Sequence, residues 1–327
     1  MTVDERRMSE ARDVARSVRR LTPPNPWVGA VIVDESGEVV ARGATAAPGG
    51  PHAEVTAINL AGERARGATL YVTLEPCCHV GRTGPCVDVI IRAGLARVVV
   101  AVRDPDDRVA GRGLEQLRAA GIDVVEGVLA AEVEKDLAPY LHHRRTGRPY
   151  VVAKVAATLD GRVAMGDGSS KWITSEAARA DGHELRADSQ AIIVGAGTVR
   201  ADNPALTVRT PDGVYEPRRI VLGHAPEDAA VRPCEERTGD LATLLDDLGR
   251  DGVVQVLVEG GPTTVSSFLE QGLTQRVVWY LAPAVAGSQV GLGALCALAT
   301  PTMAQLRRGR IVGVRQIGED VRVDLEV

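Results

Sequence analysis

One short series of residues constrains the fold more than any other: Pro51-His52-Ala53-Glu54, then Glu75-Pro76-Cys77, then, after eight intervening residues, Pro85-Cys86. One imidazole and two thiols make a three-ligand set for tetrahedral Zn²⁺ and leave the fourth position to water. The set works only if the fold brings three separate segments to one point. An open position is what catalysis needs, because water on such a metal ionises near neutral pH. Glu54, two residues from the His ligand at a helix start, is placed to take that proton and pass it to a leaving amine.

Two other arrangements use the same residues. Cys78 or His79 would close a structural zinc site, or the thiols would be buried without metal. Structural sites usually show paired short spacings such as C-x₂-C and need no Glu beside the His. Here the paired spacing is absent and the Glu is present, so catalytic zinc on His52, Cys77 and Cys86, with Glu54 as the catalytic group, is the expectation. Cys78 is expected as a packed, small apolar residue. For His79 a substrate contact and a structural hydrogen bond stay equally open.

The rest of the chain says how many folds are needed. At 327 residues, 45% hydrophobic and 25% charged, it has material for two globular units. No apolar run has membrane-spanning length. The charged N-terminus, MTVDERRMSEARDVARSVRR, carries no export signal, so a cytoplasmic location is expected. In a reducing compartment, five cysteines with three crowded at Cys77, Cys78 and Cys86 read as a metal site, not a disulfide framework. A net charge of -5 and 3% aromatic residues argue against a basic, base-stacking channel for nucleic acid.

Strand-like and helix-like patterns alternate through the first half. Helix is predicted over 4–20, 53–65, 86–93, 113–120 and 131–145, and strand over 27–33, 38–42, 68–73, 97–102 and 123–127. This is a layered α/β unit with partly parallel pairing. Thr146-Gly147-Arg148-Pro149 then breaks the pattern. A second α/β unit follows, with strands predicted over 150–156, 191–194, 219–222, 254–258, 276–281 and 321–327, and helices over 175–187 and 264–271. The domains are therefore expected at 1–146 and 147–327, with nothing assigned over 286–300.

In the second half, Gly195-x-Gly197 alone is weak, since a dinucleotide fingerprint wants a third Gly and a ribose-binding acid. VLVEGGPTTVSSFL is stronger: a buried strand turns through Gly260-Gly261 into a helix whose first turn is rich in hydroxyls, a cradle for phosphate on backbone N–H groups. A tight turn with a capped helix is the structural alternative. Lysine occurs only at 135, 154 and 171, which singles out Lys154 and Lys171 for scrutiny.

H-x-E followed by P-C and a second Cys is the zinc-deaminase pattern, here with the cysteines eight apart instead of two. The runs PNPWVGAVIV, PHAE, TLEPCCHVGRTGPC and DPDDRVAGRGLEQLRAAGIDV resemble the N-terminal domain of the bifunctional riboflavin-biosynthesis deaminase and reductase family. SKWIT, the Ala201–Arg209 segment and VEGGPTT resemble its C-terminal domain, so the resemblance spans nearly the whole chain. It implies a cytidine-deaminase-like α/β/α domain followed by a dihydrofolate-reductase-like α/β domain. It also implies Zn²⁺ on His52, Cys77 and Cys86 with Glu54 as proton shuttle, and substrate near Asn25, His79, Arg82, Asp104 and Arg112. Two departures are evident. Thr45 stands where many members carry His, and the common TPPC reads Thr83-Gly84-Pro85-Cys86.

For the second domain the resemblance implies NADPH on Ala156, Trp172, Thr198, Asp202 and the turn Gly261, Pro262, Thr263 and Thr264 running to Ser267. It implies substrate on Lys154, Ser170, Thr174, Arg186, Leu206, Arg209 and Glu259. Arg186 and Arg209 are cations suited to a terminal phosphate, and Lys154 and Glu259 are groups available for proton transfer. Two steps are thus expected: removal of the 2-amino group of 2,5-diamino-6-(ribosylamino)-4(3H)-pyrimidinone 5'-phosphate, then NADPH reduction of 5-amino-6-(5-phosphoribosylamino)uracil to the ribitylamino product. The expected partners are small phosphorylated pyrimidines and further copies in a homo-oligomer, with no nucleic acid and no membrane. The competing readings are a nucleic-acid base deaminase, a single-activity deaminase with a non-reducing second domain, and a non-catalytic protein with a structural zinc.

Overall fold

A computed structural model of the chain describes residues 1–79, 84–211, 213–287, 291–296 and 302–327. It divides into two compact units, Met1–Gly147 and Arg148–Val327.

In the first unit, helix Val3–Ser17 opens with a capping box between Thr2 and Glu5 and buries Met8, Ala11 and Ala15. Five strands follow in the order Val39–Ala44, Gly29–Val33, Thr69–Leu74, Arg97–Val102, Asp123–Glu126. The first two pairings are antiparallel and the last two parallel. Two glycines set how closely helices lie on this sheet. A Cβ on Gly29 would stand 1.9 Å from the Ala11 carbonyl oxygen, and one on Gly43 would stand 2.2 Å from that of Ala53. Gly43 therefore lets helix Ala53–Ala61, which opens immediately after His52, rest directly on strand Val39–Ala44. The single helix predicted over 131–145 is two, Ala130–Asp136 and Ala138–Thr146. Pro139 explains the break: it has no N–H to continue the ladder and takes an early position in the second helix.

The second unit is built on eight strands in the order Glu235–Arg237, Arg218–Leu222, Ala191–Gly195, Gln255–Val258, Tyr150–Thr158, Arg276–Ala282, Asp320–Glu326, Arg310–Ile317. The first six run parallel, Asp320–Glu326 runs against them, and Arg310–Ile317 pairs antiparallel with Asp320–Glu326. The central strands are apolar on both faces because both are covered. Val151, Ala153, Ile193 and Val256 pack with helices Leu241–Arg250 and Pro262–Glu270, while Val152, Ile192, Val194 and Leu257 pack on the opposite side. From Ala191–Gly195 the chain moves outward to Arg218–Leu222, and from Gln255–Val258 it moves the other way to Arg276–Ala282. The carboxyl ends of these two neighbours are therefore a topological switch point, where open α/β sheets form ligand crevices.

Candidate active sites

In the first unit the strand and helix ends converge. His52 caps helix Ala53–Ala61, Cys77 follows strand Thr69–Leu74, and Cys86 begins helix Cys86–Ala93. Their ligand atoms all lie within 4.8 Å of one another. His52 Nδ1 is 3.5 Å from Cys77 Sγ and 3.2 Å from Cys86 Sγ. A tetrahedron with Zn–S of about 2.3 Å and Zn–N of about 2.0 Å has N–S edges of about 3.5 Å. The donor set and its spacing thus fit zinc.

Without an ion the three donors share protons among themselves. Cys77 is held well below the ordinary thiol range by a hydrogen bond from the Cys86 thiol and then by His52, and the backbone N–H of Cys86 also donates to its sulfur, at 3.4 Å. Cys86 keeps the shared proton, its thiol raised by Cys77 and by burial. The Cys77 hydrogen bond raises His52 in turn. Glu54 is buried in the first turn of the helix after His52, and burial, with the Cys77 charge, pushes its carboxyl up to about 7.

The other candidates of this unit divide. Asn25 is half-buried in a turn, its N–H on the Thr22 carbonyl. The buried Nδ1 of His79 has no hydrogen-bond partner among the described residues. Arg82 lies outside the described residues. Arg112 is exposed at the start of helix Arg112–Ala119. Asp104 is buried and accepts from the Tyr140 hydroxyl at 3.0 Å and from the Asp106 N–H at 2.9 Å. Thr45, in place of the family's His, is buried and accepts from the Val28 N–H at 3.2 Å. Cys78 is half-buried, with its sulfur 3.5 Å from the Arg108 carbonyl oxygen.

Sequence reasoning missed Glu75. Its buried carboxylate accepts backbone N–H bonds from Asp104 at 3.3 Å, Gly111 at 3.0 Å and Gly113 at 3.1 Å. One side chain next to the Pro76-Cys77 turn thus gathers the loop that carries Asp104 and Arg112. A buried Glu before Pro-Cys was the available signal, but its partners lie some thirty residues on.

In the second unit the switch-point crevice opens into a cleft of about 1630 Å³. Every candidate of this half lines it: Lys154, Ala156, Ser170, Trp172, Thr174, Arg186, Thr198, Asp202, Leu206, Arg209, Glu259 and Gly261 to Thr264. The volume exceeds the usual pocket for one small ligand. At the crevice the Gly261 N–H donates to Thr198 Oγ1 at 2.8 Å, and Thr264 fills the space that side chains on Gly195 and Gly260 would need. Ser170 donates to the Asp202 carboxylate at 2.9 Å, and Lys171 Nζ reaches the Asp202 carbonyl at 2.9 Å. Trp172 is 70% exposed beside them, with the Arg179 guanidinium 4.5 Å from its ring centre. A wide cleft over two adjoining glycine turns, with an exposed indole at its side, fits an extended dinucleotide.

Two expected roles change. Arg186 is not a free cation for phosphate. Its Nε and one terminal nitrogen grip Glu259 at 2.6 and 2.9 Å, and its other terminal nitrogen holds the Thr207 carbonyl at 2.9 Å. Nor is Glu259 poised to exchange a proton. Burial alone would raise its carboxyl, but the Arg186 and Lys154 charges prevail and hold it at about 2. Lys154 Nζ stands 3.6 Å from Glu259, over the Tyr280 ring at 5.9 Å. Arg209 is exposed and contacts His183 at 3.1 Å and the Thr207 hydroxyl at 3.4 Å.

An α/β unit with a His-Cys-Cys centre and a buried Glu, joined to a parallel-sheet unit with a dinucleotide-sized cleft, defines a class: zinc deaminase and reductase in one chain. The cytidine and deoxycytidylate deaminase zinc-binding region matches residues 1–102, and the RibD C-terminal domain matches residues 149–323. Riboflavin biosynthesis protein RibD of Mycobacterium tuberculosis is 43% identical over 99% of this chain and 97% of its own. That of Escherichia coli is 40% identical over 98% and 99%. RibD of Acinetobacter baumannii superposes with a TM-score of 0.91 at 37% identity, covering 99% of this chain and 98% of that one. The diaminohydroxyphosphoribosylaminopyrimidine deaminase/5-amino-6-(5-phosphoribosylamino)uracil reductase of Thermotoga maritima gives 0.87 at 35%, with the same coverage.

The chain belongs to the family of riboflavin biosynthesis protein RibD. It is a bifunctional enzyme, a cytidine-deaminase-like zinc domain followed by a reductase domain that uses NADPH. Among the described residues no helix is long and apolar enough to cross a membrane.

Proposed function

We propose that the first unit hydrolyses the 2-amino group of 2,5-diamino-6-(ribosylamino)-4(3H)-pyrimidinone 5'-phosphate, consuming water and releasing ammonia. The second unit then reduces 5-amino-6-(5-phosphoribosylamino)uracil to its ribitylamino product with NADPH. The observation that carries this reading is the meeting of His52, Cys77 and Cys86 within 4.8 Å beside the buried Glu54. Zinc bound there supplies a Lewis acid that activates water at neutral pH. The protein's own part is the proton: Glu54, buried in the first turn of the helix after His52, takes one and returns it to the departing nitrogen.

In the second unit, bound NADPH supplies the hydride. Ala156, Trp172, Thr198, Asp202 and Gly261 to Thr264 are assigned to it. Lys154 is assigned as the proton-carrying group, fixed by Glu259, which Arg186 in turn orients. Ser170, Thr174, Leu206 and Arg209 are assigned to the substrate, and in the first unit Asn25, His79 and Arg82. The exposed Arg209 is the cation left for the substrate phosphate once Arg186 is paired. The working form is proposed as a homo-oligomer in the cytoplasm.

Mass-resolved product analysis tests this reading. The diamino substrate alone should lose one amine and stop, and with NADPH it should gain two hydrogens. Reduction without deamination, or turnover of neither compound, would contradict it.

A further inference from the structure

The switch-point cleft has a second charged end, remote from Lys154. Across the sheet, strand Tyr150–Thr158 with Lys154 is four strand spacings from Glu235–Arg237. At about 4.8 Å each this is about 19 Å, the reach of an extended dinucleotide. Gly195, Leu222 and Arg237 stand in register at the carboxyl ends of three adjacent strands. The backbone ties the far corner together: Gly223 N–H donates to the Arg237 carbonyl at 2.8 Å, and the Arg200 guanidinium reaches the His224 carbonyl at 3.5 Å. Arg200, His224 and Arg237 all line the cleft.

The acids at this corner do not cancel the charge. Glu235 is gripped by Arg218, whose own second contact is Asp251, and Glu236 accepts from Arg232, His224 and the Ala225 N–H. Arg237 gives one terminal nitrogen to Glu235 at 3.0 Å, while its Nε is buried without a hydrogen-bond partner among the described residues. The Arg237 side chain is 40% exposed, and a guanidinium lining the cleft offers a phosphate oxygen a charge-assisted hydrogen bond.

With nicotinamide placed at the Lys154 end, as the cofactor reading above requires, we infer that Arg200 and Arg237, with His224 beside them, form the subsite for a phosphate monoester on the adenosine ribose. This corner is what selects NADPH over NADH. Gly197, in the first turn of helix Ala196–Asp202, leaves the approach open: no atom lies within 4 Å of a Cβ built on it.

The test is calorimetric binding to the full chain, with no turnover. Adenosine 2',5'-bisphosphate should bind at least tenfold tighter than adenosine 5'-phosphate, and Arg237→Ala should bring that ratio close to one while leaving adenosine 5'-phosphate unchanged. Arg200→Gln should lower it severalfold and Arg237→Lys should retain part of it. Ribose 5-phosphate, a probe for a substrate-phosphate site, should bind the wild type and Arg237→Ala alike. An unchanged ratio in both Arg237→Ala and Arg200→Gln overturns the proposal, as does a parallel loss of ribose 5-phosphate. If the wild type binds NADP⁺ and NAD⁺ equally, this subsite is wrong and the cofactor reading stands. If it binds neither, the cofactor reading falls too.

Discussion

At the scale of single residues, the metal centre rests on three side chains whose roles differ from those of their neighbours. Cys78 adjoins a ligand in sequence, yet its sulfur lies at a loop carbonyl. Cys77→Ser and Cys86→Ser should each lose zinc, whereas Cys78→Ser should keep one equivalent, measured by metal analysis after gel filtration. Equal loss in all three would indicate a closed four-ligand site. Glu54→Gln should retain zinc and lose deamination by about 10²–10⁴-fold, the usual weight of a general acid–base group. Near-normal turnover would place the proton transfer elsewhere. These residues were legible because their chemistry is packed into two short motifs. The Arg186–Glu259 pair was not, since its members are 73 positions apart and each alone resembles a free ligand. Arg186→Ala leaves Glu259 with Lys154 as its nearest cation and should cost roughly 3 kcal/mol in denaturant unfolding, near the low end for breaking a buried pair. A loss below about 0.5 kcal/mol, typical of a surface change, would show that the pairing does not matter to the fold.

At the scale of elements, glycines decide what can approach what. A Cβ on Gly43 would meet the Ala53 carbonyl at 2.2 Å and the Ala57 nitrogen at 2.5 Å, backbone atoms that cannot swing away. Gly43→Ala should therefore destabilise the first unit by about 1–3 kcal/mol, as overpacking does. It should also weaken zinc binding, because the helix it displaces begins next to His52; unaltered melting and metal content would contradict this. Glu75 acts similarly through its three backbone partners.

Strands such as Arg97–Val102 and Ala191–Gly195 could be read directly because burial on both faces makes them continuously apolar. Edge strand Arg310–Ile317 is largely exposed and shows no such run, so it was missed. Helix Leu241–Arg250 was missed despite a usable signal: Asp240 caps it at Thr243, and Leu241, Leu244, Leu245 and Leu248 repeat at helical spacing.

At the scale of the whole molecule, the ligands to zinc all lie within Met1–Gly147 and all the cleft residues within Arg148–Val327. Two sites of different chemistry on separate compact units should fail separately. The measurement that tests this most directly uses the intact chain stripped of zinc by a chelator, with its fold monitored by circular dichroism. Presented with the diamino substrate it should release no ammonia. Presented with 5-amino-6-(5-phosphoribosylamino)uracil and NADPH it should reduce at the rate of the zinc-loaded enzyme, and re-addition of zinc should restore the first step alone. Loss of reduction in a chain that remains folded would contradict the assignment of two independent sites.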